Sequence, residues 1–117
     1  MSLLDPTPLA NLLADIGGDR ATLAAILAQF LEEAPANLAT LRQSSAAGEA
    51  AEARRAAHSL KSTAAQMGAM RLSELCRDIE HAAAAGTLPT PQALDALDAL
   101  WSDTRRELDE ERRRYAV

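Results

Sequence analysis

Strand formers are what this sequence lacks most. Its aromatic residues are Phe30, Trp101 and Tyr115, and its single valine is Val117. Ala, Leu, Glu, Arg and Gln, all good helix formers, fill the chain instead, so a sheet is excluded as the basis of the fold and an all-α fold is expected. Cysteine is reduced to Cys76, which rules out an intramolecular disulfide and any zinc site built on a thiolate set. No apolar run approaches the ~20 residues needed to span a bilayer. Met1–Pro6 has neither the basic residues nor the apolar block of a signal peptide. A cytoplasmic location is therefore expected.

Positive charge is also in deficit. A formal net charge of −5 argues against nucleic acid or an anionic membrane as partner. The deficit is uneven: residues 1–53 carry seven acids and two bases, whereas 54–117 carry ten of each. No Gly-x-x-x-x-Gly-Lys loop and no glycine-rich nucleotide lid occurs, so no ATP site is recognisable and autokinase activity is not expected. A carboxylate-bridged metal site in a helical bundle would need Glu-x-x-His pairs. Neither His58 nor His81 has a Glu three residues before it, so no metal ligands are assigned.

What is present is helical periodicity. Residues 1–117 have the size of a single domain. Thr7-Pro8 reads as a cap and first turn for a short helix over about 7–16, ended by Gly17-Gly18 and too short to be stable alone. Asp19 caps a second over about 19–44, in which Leu23, Ile26, Leu27, Phe30, Leu31, Ala34, Leu38 and Leu41 recur at three and four. Pro35 removes one backbone hydrogen bond there, and a bend near Leu31–Pro35 is expected. Further helices are expected over about 50–67, 69–85 and 91–114, the last capped by Thr90-Pro91. Four amphipathic helices with short connections favour an antiparallel up-down four-helix bundle, with the short N-terminal helix as a lid. The start methionine and a complete bundle suggest a free-standing protein, and a monomer is expected.

The chemistry concentrates in Ala57–Ala69. It holds one of two histidines, and Lys61 is the only lysine among twelve basic residues. At ~100° per residue, Ala53, Ala57, Leu60, Ala64 and Met67 share about 80° of arc, and His58 lies about 140° from Ala53. Arg54, His58, Lys61, Ser62 and Ala65 thus form an exposed ridge on a helix whose other face is buried. An exposed imidazole is partly neutral near neutral pH, and its nitrogen can attack phosphorus. Lys61, one turn on, can offset the charge of the resulting phosphoramidate. Taken alone, the pair reads first as a solvated surface histidine. His81 falls opposite its helix's core face and reads as solvated, Cys76 as inert packing, and Phe30 and Trp101 as core.

In its motif context the stretch resembles the histidine-containing phosphotransfer (HPt) domain. The resemblance rests on His58, Leu60, Lys61, a small residue at Ser62, and Gly68 ten positions after the histidine, and it continues through Leu72, Leu75, Cys76, Ile79 and Glu80. Phe30-Leu31-Glu32-Glu33-Ala34-Pro35 and the double glycine before Asp19 extend it. Ser62 stands where glycine is most usual, adding a hydroxyl beside the imidazole.

The resemblance implies a phosphocarrier of a two-component multistep phosphorelay. His58 would accept a phosphoryl group from a receiver-domain aspartyl-phosphate and pass it to another receiver aspartate, with Lys61 stabilising charge and Glu80 orienting the imidazole. Arg54, Ser62 and Ala65 would belong to the docking surface. The expected partners are response-regulator receiver domains and a hybrid sensor histidine kinase. No cofactor of its own is expected, and Mg²⁺ would sit on the receiver. A rival reading is a non-transferring helical module that docks on a receiver or kinase and inhibits it.

Overall fold

Asp5, with its backbone extended, accepts the Thr7 N–H (2.9 Å) on its side chain and so opens the first helix, α1 (Pro6–Asp15). The computed structural model describes residues 2–117. Helix α1 starts ahead of the Thr7 cap expected from the sequence. Asp5 is the stronger acceptor, and Pro6 and Pro8 both fall in the first turn, where their missing N–H groups have no helical partner to lose. The other elements are α2 (Arg20–Ala46), α3 (Ala50–Gln66), α4 (Met70–Ala84) and α5 (Pro91–Tyr115). Asp19 caps α2 by accepting the Thr22 N–H at 3.1 Å, and Thr90 caps α5 through the Ala93 N–H at 3.1 Å. Helix α2 runs unbroken through Pro35 as one 27-residue element.

The four long helices pack in cyclic order, α3 most extensively against α4, then α2 against α3 and α5, and α4 least against α5. The result is an all-α bundle, 44 × 23 × 22 Å, with α1 laid against α3 and α2. Leu23 and Leu27 of α2, Leu60 and Ala64 of α3, Leu72 and Cys76 of α4, and Leu97 and Leu108 of α5 are all at most 1% exposed and form one core. Phe30 and Trp101 meet edge to face across α2 and α5, ring centroids 5.7 Å apart, a pairing worth about 1 kcal/mol beyond the area it buries. Leu75, Ile26 and Leu31 are only half-buried, because they lie at the margins of their stripes.

The α3–α4 turn determines where the histidine helix sits. Gly68 adopts φ +83°, and a Cβ there would lie 2.2 Å from the Asp5 carbonyl oxygen. The Asp5 N–H in turn donates to the Gly68 carbonyl at 2.8 Å. Only glycine combines the left-handed turn with so close an approach of backbone. The start of α1 is thereby pinned to the hairpin that carries His58.

Candidate functional site

Helix α3 buries Ala53, Ala56, Ala57, Leu60 and Ala64, an almost all-alanine face that lets α4 and α2 approach closely. His58 points away from that face, its side chain 58% exposed. Helix α4 brings Glu80 to it. The half-buried Glu80 carboxylate accepts from His58 Nδ1–H at Oε1 (2.8 Å), while Lys61 Nζ lies 2.8 Å from Oε2. The Lys61 contact lacks hydrogen-bond angles at Oε2; it is an ion pair, whose attraction depends on distance more than on direction.

These contacts favour an ionised Glu80. Lys61 holds the Glu80 carboxyl below the usual carboxylate range, with the His58 hydrogen bond acting in the same direction and partial burial opposing both. An ionised Glu80 can only accept, so Nδ1 carries a proton, and in the neutral form of the ring the lone pair lies on Nε2. His58, Lys61 and Glu80 therefore form one connected triad on the surface. The sequence expectation had Lys61 facing a phosphoryl group; in the structure its partner is Glu80.

Arg54 and Ser62 are exposed and Ala65 is half-buried, all on the ridge around His58. Among the described residues, neither Arg54 nor Ser62 makes a side-chain hydrogen bond to the triad. His81 is exposed. Cys76 is fully buried one turn before Glu80, and burial, with the Glu80 carboxylate adding to it, pushes its thiol up to about 12. Among the described residues no group of three His, Cys, Asp or Glu side chains is placed to hold a metal ion, and no helix is long and apolar enough to cross a membrane.

Sequence reading missed Ser73. It is buried on α4, and its hydroxyl donates to the Lys61 carbonyl of α3 at 2.9 Å. A polar residue next to Leu72 at the edge of an apolar stripe was the available signal. Its partner is a backbone atom twelve residues away, and no side-chain pattern records that.

The family model of the Hpt domain matches residues 25–107. The chain is similar to the crystal structure of histidine-containing phosphotransfer protein B (HptB) from Pseudomonas aeruginosa PAO1, with a TM-score of 0.84 and 29% identity over 96% of each chain. No curated protein sequence matches it.

Proposed function

Because the chain belongs to the Hpt domain family, the histidine phosphotransfer proteins of phosphorelays, we propose that His58 takes a phosphoryl group from the aspartyl-phosphate of one receiver domain and passes it to the aspartate of another. The observation that carries this reading is the exposed imidazole with Nδ1–H held by Glu80. That hydrogen bond selects the tautomer whose free nitrogen, Nε2, faces an incoming group.

In the proposed step the Nε2 lone pair attacks phosphorus, a P–N bond forms, and the P–O bond to the receiver's aspartate breaks to release its carboxylate. The Nδ1 proton stays on the ring, which gains positive charge. The Glu80 carboxylate offsets that charge, and a carboxylate does so better than a neutral amide. Lys61, on the same helix as His58, pairs with Glu80, and its flexible stem lets the ammonium follow the arriving dianion. Return transfer reverses each bond change. Arg54, Ser62 and Ala65 flank the histidine and are assigned to the docking surface. The Mg²⁺ of the reaction is assigned to the receiver, and the donor upstream to a hybrid sensor histidine kinase. We take the carrier to act as a cytoplasmic monomer without autokinase activity.

The test is transfer from receiver domains charged with acetyl phosphate. Wild type should acquire acid-labile phosphate and His58→Gln should not; equal labelling of both would remove the assignment. Lys61→Ala should slow transfer by about tenfold or more, the order expected for losing one charged contact of about 1.5–3 kcal/mol. A receiver that binds wild type and His58→Gln alike, with no transfer to either, would favour the inhibitory docking module.

A further inference from the structure

Three buried or half-buried helix-borne hydroxyls in this protein share a habit from which Ser73 departs. Ser44, Thr63 and Thr104 each donate to the carbonyl four residues back in their own helix: Thr40, Ser59 and Leu100, at 2.7, 3.0 and 2.7 Å. Such back-bonding is the usual refuge of a hydroxyl inside a helix. Ser73 instead reaches across to α3 and donates to the Lys61 carbonyl at 2.9 Å. Glu80 takes the side chain of that same lysine at 2.8 Å, and also Nδ1 of His58. Helix α4 thus holds Lys61 by backbone and side chain at once.

Beyond the Gly68 turn, which joins the two helices at one end, the rest of the α3–α4 interface adds little directional constraint on this register. It is built of Ala53, Ala57, Leu60 and Ala64 against Leu72, Cys76, Ile79 and Ala83. Apolar contact of this kind is non-directional and tolerates small axial slips. A hydrogen bond does not, and neither does a carboxylate that must meet a ring nitrogen and an ammonium together. Ser73 and Glu80 are seven residues apart, so they lie on nearly the same face of α4, about 10 Å apart along its axis. A shift of α4 at Ser73 carries directly to Glu80.

We propose that Ser73 is a positioning residue: its bond to the Lys61 carbonyl fixes the axial register of α4 on α3, and through Glu80 the tautomer and orientation of the His58 ring. This deepens the phosphotransfer reading and rests on it for its functional consequence.

The test uses the full chain and two readouts, the ¹⁵N spectrum of the His58 ring and phosphorylation of His58 by phosphoramidate. Ser73→Ala should lose the bias toward the Nδ1–H tautomer and slow phosphorylation by about tenfold, the scale of rate loss that a sub-ångström misplacement produces. Ser44→Ala is the control. It removes a hydroxyl just as buried, but one bonded only within α2, and it should leave both readouts at wild type. Ser73→Thr, which keeps the donor, should restore them. If Ser73→Ala does not fold, Ser73→Cys retains the shape with a weaker donor and should show the same two effects. A wild-type ring spectrum and rate in Ser73→Ala, or equal changes in Ser44→Ala, would overturn the proposal. If wild-type His58 accepts no phosphate from phosphoramidate or from charged receivers, the phosphotransfer reading fails, while the ring spectrum still decides the role of Ser73.

Discussion

Glu80 is the residue on which the site turns, because it joins two groups that the sequence separates from it by nineteen and twenty-two positions. Its carboxyl titrates below the ordinary range, chiefly through Lys61. A folded-state pKa below the unfolded one stabilises the fold wherever the unfolded carboxyl is already ionised, and that contribution disappears as pH falls through the folded value. Glu80→Gln removes it. Wild type should exceed Glu80→Gln in unfolding free energy by about 1 kcal/mol at neutral pH, with the gap closing as pH falls below the usual carboxylate range. Urea titrations of both proteins across that range measure it, and a gap that persists in acid would mean that Glu80 is not held as an anion. In the same variant the amide can still accept from Nδ1–H but no longer offsets charge on Lys61 or on the phosphorylated ring. Its transfer rate should therefore fall less than that of Glu80→Ala.

Among the elements, the α3–α4 hairpin is the one built with least tolerance. Its two helices carry no side-chain N-cap; their geometry comes instead from Gly68 and from the N-terminal segment bonded to it. Gly68→Ala should cost at least about 2 kcal/mol, combining left-handed strain with the clash against the Asp5 carbonyl. Gly48 also has a positive φ, +74°, but open space around its missing Cβ, so Gly48→Ala should cost only about 1 kcal/mol. Denaturant midpoints of the two variants give the comparison. Equal losses would show that the Asp5 contact yields freely. This contrast was not legible in the sequence, where Gly68 is marked only by its spacing from His58. The spacing from His58 to Gly68 is local, but the backbone that crowds Gly68 comes from Asp5, near the N-terminus.

For the whole molecule, stability and function draw on opposite faces of one helix. Leu60 is fully buried in a core shared by all five helices, whereas His58 two residues earlier is largely exposed. Leu60→Ala should cost about 2–5 kcal/mol, from lost transfer energy and the cavity left behind. His58→Gln should change stability by no more than about 1 kcal/mol. A single domain of this size is expected to unfold in one cooperative step, so both values can be read from urea curves. If His58→Gln destabilised as much as Leu60→Ala, the loss of phosphate in the transfer assay would reflect unfolding, and the site would have to be assigned on other grounds.

Helix content, the capping role of Asp19 and Thr90, the buried stripe of α3 and the outward aspect of His58 follow from local physics: propensity, capping chemistry and the 3.6-residue period act over a few residues and are written directly in the chain. The pairing of His58 and Lys61 at one-turn spacing belongs to the same class. Tertiary structure decided which neighbour each of them meets. Lys61 turns to Glu80, the imidazole presents Nδ1 to the same carboxylate, and Ser73 leaves its own helix to grip Lys61. All three depend on the register between α3 and α4. An alanine-rich apolar interface does little to fix that register, which falls to the Gly68 turn and to directional bonds between residues that the sequence keeps apart.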